Sequence, residues 1–251
     1  AEFGIRAEIE SVETFVSPTG AEIKNLQFFD EKTGEKLARI DRLKLDLTLT
    51  NILGLSSARE VSIDSTDVEG LEVWVRFDEK GNSNFSNLRF KADEDPNLKI
   101  SLASINFSLK NATIHYGDQL RKISGDAKNI TIGVEPAESV PGGDPRYKFD
   151  LTSEKSVFVY DETEISPINI YAKGIADKNG AEISSLKINS QIGESTLSGN
   201  VTNWQSPKYD LKVNSTIDLM QTGTLFPNGT ALRGFGNFEG NVSGEGERYT
   251  V

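Results

Sequence analysis

Cysteine is absent from these 251 residues, and histidine occurs once, as His115. The first absence removes disulfides, thiolate-held zinc, iron–sulfur clusters and thiol catalysis together. The second removes any site built from several imidazoles. Basic residues are also scarce: 27 Lys and Arg stand against 38 Asp and Glu, for a net charge of −11. A nucleic-acid phosphate backbone needs the opposite balance. No apolar run approaches the roughly 18 residues of a membrane-spanning helix. The first residues, Ala-Glu-Phe-Gly-Ile-Arg-Ala-Glu, show neither the basic start nor the apolar stretch of a secretion signal. The last, Gly244 to Val251, read like a strand that breaks off, so the chain is expected to be part of a longer one. Ile, Leu, Val and Phe still make up about 27% of the residues, above the roughly 20% below which chains tend to stay disordered. A lean fold is expected.

What is present is alternation. Leu43, Leu45, Leu47 and Leu49 are separated by Lys44, Asp46 and Thr48, and Leu71, Val73, Val75 and Phe77 by Glu72, Trp74 and Arg76. Ile130/Ile132/Val134, Tyr147/Phe149/Leu151, Ile168/Ile170/Ala172 and Tyr209/Leu211/Val213 repeat the pattern. A period of two places one residue set on each face of a strand. Helical periodicity is nearly absent, and Asn51–Arg59 is the best candidate for a short helix. The predicted class is all-β: an elongated, curved antiparallel sheet forming a groove, with at most one or two short helices. Phe29–Gly34, Phe77–Gly81 and Asp177–Gly180 read as turns, the last through an Asn-Gly pair suited to positive φ. The Pro- and Gly-rich stretch 135–145 divides the predicted sheet into residues 1–134 and 146–251, which also suit one continuous domain.

Chemistry-bearing patterns fail one by one. His115 lies in an alternating run without a nucleophile signature, and imidazole catalysis needs a positioned partner. The acidic groups Asp93-Glu94-Asp95 and Glu245/Glu247 fall in turn-like segments. Asp78–Asn84 resembles a calcium loop, but Lys80 takes its third position and Arg89 its twelfth. Arg233–Asn237 opens like an RNA-binding strand and then places Asn237 where an aromatic belongs. Gly234–Gly240 misses the dinucleotide spacing. No catalytic residue, metal ligand or cofactor site is therefore assigned, and the protein is expected not to be an enzyme. Two echoes remain: Leu186–Ser190 returns as Leu211–Ser215, and Leu197–Val201 as Phe238–Val242. An alternating sheet needs a cover for its apolar face, so it closes as a sandwich, a barrel or a curved groove.

Residues 23–88 carry a more specific pattern. An Ile40-to-Leu49 strand of the form I-x-x-L-x-L-x-L is followed by a short bridge at Asn51–Leu55. Val68-Glu-Gly-Leu-Glu-Val-Trp-Val75 comes next, and then the ending Gly81, Asn84, Phe85 and Leu88. This resembles the AsmA-like/TamB superfamily of bacterial envelope proteins, and 193–201 and 232–244 resemble its recurring strand pairs. The resemblance implies a periplasmic portion of a protein anchored in the inner membrane by a segment outside this sequence. It also implies an apolar β-groove that carries phospholipid acyl chains for outer-membrane biogenesis. The groove candidates are Leu43, Leu45, Leu47, Leu49, Leu71, Val73, Val75 and Phe77; Gly81, Asn84, Phe85 and Leu88 are structural. An AsmA-type and a TamB-type protein both fit. The alternative is a scaffold that assists outer-membrane protein assembly by adding strands at an open edge.

Overall fold

The computed structural model describes residues 4–16, 19–50, 59–88, 98–101, 106–138, 143–226, 233–246 and 248–250. The expected helix at Asn51–Arg59 lies outside the described residues except for Arg59, which begins a strand. Among the described residues the protein is all-β with one short helix, and it packs as two units, Ala1–Ile123 and Ser124–Val251.

The first unit holds β1 (Ile5–Glu8), β2 (Ser11–Val16), β3 (Thr19–Asp30), β4 (Lys36–Thr50), β5 (Arg59–Glu69), β6 (Glu72–Phe77), β7 (Leu98–Ser101) and β8 (Asn106–Asp118). β3, β4 and β5 pair antiparallel as successive strands, with β1 and β2 on the outer side of β3. β5 then takes β7 and β8 as parallel neighbours, and β6 joins β4 antiparallel to β8 parallel. The sheet of this unit is therefore mixed. Alternation alone cannot register that, because parallel and antiparallel strands share a period of two.

The second unit pairs antiparallel from β10 through β16. It comprises β9 (Ile123–Pro136), β10 (Tyr147–Tyr160), β11 (Thr163–Ala176), β12 (Gly180–Ser190), β13 (Gly193–Thr202), β14 (Lys208–Asp218), β15 (Phe235–Glu245) and β16 (Arg248–Thr250), in that spatial order. Helix α1 (Leu219–Leu225) follows β14 directly. The stretch 135–145 joins β9 to β10, with Ala137 N donating to Arg146 O at 2.8 Å. It lies inside the second unit.

Burial follows a local device rather than a layered core. Among the described residues the buried apolar side chains are Leu26, Leu37, Val68, Leu109, Ala112 and Ile130, and Ser153 and Ser156 are buried with them. All but Leu37 flank a residue with left-handed backbone: Asn25, Gly70, Asn111, Asn129 or Lys155, with φ between 48° and 68°. In a regular strand, positions three apart face opposite sides. Leu109 and Ala112 are nevertheless both buried across Asn111, and Ser153 and Ser156 across Lys155. In β10 the register shows the cause: Ser153 faces Ile170 while Ser156 faces Ile168, so β10 carries one extra residue, a bulge that bends the strand. Asn tolerates left-handed backbone better than other non-Gly residues, which explains the repeated Lys-Asn pairs at 24–25, 110–111 and 128–129. The two serines satisfy the interrupted ladder. Ser156 Oγ accepts from Lys128 N at 3.0 Å, and Ser153 Oγ donates to Lys128 O at 3.1 Å.

The Asp177–Gly180 turn forms where expected but by another route. Neither Asn179 nor Gly180 takes positive φ. Asp177 Oδ1 instead accepts from Asn179 N at 2.7 Å and Gly180 N at 3.1 Å, a side-chain-closed turn. Glycine is needed at 180 because a Cβ there would meet Val201 O at 2.1 Å.

Candidate functional site

Paired residues in a sheet project to the same face, so the register of the second unit defines a continuous apolar surface. Across β10 to β15, one row reads Tyr147, Ala176, Ala181, Val201, Tyr209 and Gly244. The next reads Phe149, Gly174, Ile183, Gly199, Leu211 and Val242, and the third Leu151, Ala172, Leu186, Leu197, Val213 and Gly240. A fourth adds Ile170, Ile188 and Phe238 to three serines, 153, 195 and 215. Bulges at 184–185 keep the rows aligned, since Ile183 and Leu186 face Gly199 and Leu197.

The opposite face is ionic. Lys173 meets Asp150 at 2.6 Å, Lys187 meets Glu194 at 3.0 Å and Lys208 meets Glu245 at 3.4 Å. Exposed pairs of this kind contribute little stability. Their consequence is orientation: one face is committed to water and the other is not.

Among the described residues of the second unit, only α1 lies over the apolar face. Among the described residues, β10 to β16 contact only their sheet neighbours and this helix. Leu219 of α1 lies over one end of the face, 3.5 Å from where a Cβ on Gly236 would sit. Leu151, Ile183, Leu186, Leu197, Leu211 and Val213 are all half-buried rather than buried. The glycines in the rows have a packing role. A Cβ on Gly174 would lie 2.7 Å from the Phe149 ring, and one on Gly244 would lie 2.7 Å from the Tyr209 ring, so these aromatics lie flat across their neighbours' glycines.

At the end of the face remote from α1 the surface deepens into a cavity of about 430 Å³. Val134, Tyr147, Phe149, Ala176, Ala181, Ile183, Val201 and Trp204 line it. Its size falls in the range of small-molecule sites. Trp204 stands in the turn between β13 and β14 and donates its Nε1 proton to Asp177 O at 3.0 Å. An adjoining cavity of about 410 Å³ shares Tyr147 and Ala176 and adds Pro145, Asp177 and Lys178.

No family model matches the chain, and no curated protein matches it.

The residues singled out from sequence all belong to the first unit. Leu43, Leu45 and Leu47 are half-buried and lie opposite Val68, Thr66 and Ile63. Leu49 pairs with Val61 through its backbone, and its side chain lies outside the described residues. Val73 lies opposite Ala38 and beside Ile114, and Val75 beside Tyr116. The ring of Phe77 is 5.8 Å from that of Tyr116. Leu71 accepts a backbone bond from Thr113 at 2.8 Å and is half-buried. The sheet thus joins each series to apolar neighbours in its own rows.

The Gly81–Leu88 ending is joined to β6 by hydrogen bonds. Gly81 takes φ 79°. Asn84 acts as a strand edge: its Nδ2 donates to Trp74 O at 2.8 Å, and its Oδ1 accepts from Arg76 N at 2.9 Å. Phe85 O accepts from Leu88 N at 3.0 Å, and both side chains are half-buried. His115 stacks on Trp74, with ring centres 5.5 Å apart, and its Nε2 lies 3.0 Å from Glu72 Oε1. Among the described residues, no group of three or more His, Asp or Glu is placed to hold a metal ion.

Sequence reasoning missed the cavity. Tyr147 and Phe149 announce an apolar face, but Trp204 lies in a turn, and only the register brings Tyr147, Ala176 and Ala181 to Val201, three residues before it.

Proposed function

We propose that this chain is a non-enzymatic periplasmic segment of an inner-membrane-anchored protein, and that it carries phospholipid acyl chains along an apolar β-face for outer-membrane biogenesis. The observation that carries this reading is the apolar face of β10 to β15, over which, among the described residues of the second unit, only α1 lies. Soluble proteins rarely leave contiguous apolar patches of large extent in water unless something binds there. An alkyl chain suits such a surface, because each CH₂ removed from water contributes about 0.8 kcal/mol without needing a polar partner. Successive apolar rows are about 6.7 Å apart along the strands, so a chain can be passed between rows with its contacts largely conserved. The resemblance of residues 23–88 to envelope lipid carriers supports the same reading and supplies its cellular setting.

Adjacent residues on opposite faces provide the test. A photocrosslinking side chain is placed at Leu197 or Val213 on the apolar face, and at Thr196 or Asn214 on the ionic face. The protein is then exposed to phosphatidylethanolamine vesicles. Phospholipid adducts at the first pair and not at the second are expected. Equal labelling of both faces, or none, overturns the lipid-carrier reading. Crosslinks to protein confined to an edge strand would instead favour the strand-adding scaffold.

A further inference from the structure

The apolar face does not treat its two ends alike. Leu219 of α1 lies over one end, while the other opens into the cavity beneath Trp204. We propose that this cavity is a dedicated subsite for the alkyl chain of a zwitterionic amphiphile, with Trp204 as the positioning residue that forms its wall. The proposal rests on the reading that this face takes alkyl chains, and adds where a chain lodges and what holds its headgroup.

Three observations carry it. The lining is made of aliphatic and aromatic side chains from β9 to β13, and its volume of about 430 Å³ suits a small-molecule tail rather than a helix or a second protein surface. The wall is fixed. Asn203 N donates to Asn179 O at 2.6 Å, and Trp204 Nε1 donates to Asp177 O at 3.0 Å. These two bonds tie the β13–β14 turn to the β11–β12 turn and satisfy the one polar group of the indole. Trp204 nevertheless remains 51% exposed, a large apolar surface held in place beside an apolar well.

The third observation is charge. The adjoining cavity brings Asp177 and Lys178 next to Tyr147 and Ala176. Lys178 lies 2.9 Å from Asp144. Fixed charges of both signs therefore border the mouth of an apolar well. That pairing complements a headgroup carrying one charge of each sign, and it separates an amphiphile from an apolar peptide side chain. The Asp144 carboxylate beside Lys178 raises the pKa of its ammonium above the ordinary value, so the cation persists at neutral pH.

The chain has two tryptophans, Trp74 and Trp204, and Trp74→Phe in the first unit leaves Trp204 as the only indole. The probe is a lysophosphatidylcholine with bromine on its acyl chain, titrated below its micelle concentration. Saturable quenching of Trp204 fluorescence is expected. Ala181→Leu, which fills the well with apolar volume, and Ala181→Asp, which places a charge in it, should each raise the half-quenching concentration at least about tenfold. Ala181→Leu guards against misfolding in the Asp variant, and circular dichroism checks both. Quenching that grows without saturation, or that is unchanged in a folded Ala181→Leu protein, overturns the subsite.

The two proposals fail separately. Mid-face crosslinks at Leu197 without Trp204 quenching leave the carrier reading standing and remove the subsite. Saturable quenching without mid-face crosslinks leaves an isolated amphiphile pocket and removes the carrier.

Discussion

The ring of Phe149 lies across Gly174 of the adjacent strand, so that a Cβ added to Gly174 would fall 2.7 Å from the ring and 2.3 Å from Glu182 O. One contact is with a side chain that can turn, and the other is with the neighbouring backbone, which cannot move without breaking the β11–β12 ladder. Gly174→Ala is therefore expected to destabilise the second unit by about 1–3 kcal/mol, the usual cost of overpacking. A denaturant titration of the intact chain reads it, and an unchanged midpoint would show that the strand is looser than its spacing implies.

The left-handed residues supply a second prediction with opposite signs. Lys155 sits at φ 57° and Asn111 at φ 55°. An L-residue pays about 1–2 kcal/mol for that backbone, and glycine does not. Lys155→Gly should therefore stabilise the protein by about 1 kcal/mol, while Asn111→Val should destabilise it by about 1–2 kcal/mol. The first change also tests whether the bulge belongs to the backbone, because Lys155 N still donates to Asn169 Oδ1 at 2.9 Å whatever the side chain.

Acid should weaken the first unit through Asp30. This carboxylate is 1% exposed and accepts from Thr33 N at 2.7 Å, Asn87 Nδ2 at 3.0 Å and Lys32 N at 2.9 Å. The Thr33 amide, followed by the Asn87 side chain, holds its pKa below the ordinary carboxylate value. A folded-state pKa lowered in this way contributes stability that is complete above the unfolded value of about 3.9. That contribution is lost as pH falls through the lower folded value. Asp118, bonded by the Arg121 side chain and its amide, shifts in the same direction. The denaturation midpoint should therefore fall below about pH 4, and Asp30→Asn should flatten that fall while lowering the plateau. An equally steep fall in the variant would remove Asp30 as its source.

How much of this was legible depends on whether the signal was local. Alternation at Leu43–Leu49 and at Tyr147–Leu151 announces strands with one apolar face, and the all-β class follows from it. The echo of Leu197–Val201 in Phe238–Val242 is also physical, because Gly199 and Gly240 both fall on the apolar face, opposite Leu211 and Val213 of β14. The bulges were not legible. Ser153 and Ser156 look like surface residues, and their burial follows from the extra residue at 154–155 and from the Lys128 backbone groups they serve. Helix α1 was missed for a related reason. Its seven residues include Gly223, Thr222 and Thr224, poor helix formers, and its one sequence signal is the capping carboxylate of Asp218.

That cap makes α1 testable by itself. Asp218 Oδ1 accepts from Met220 N at 2.9 Å and Gln221 N at 3.0 Å. A helix of seven residues is too short to persist through its own hydrogen bonds, so α1 depends on this cap and on the seat of Leu219 near Gly236. Asp218→Ala should remove about 1 kcal/mol from the helix and leave the β14–β15 ladder in place, since Asp218 pairs with Phe235 through its backbone. Hydrogen exchange resolves the two. Amide protection at Met220, Gln221 and Phe226 should drop several-fold while protection at Leu211 and Val213 is kept. Joint loss at all five would mean that α1 and the sheet open as one unit, and the helix would then be a structural end-piece of β14 rather than a separable cover on the apolar face.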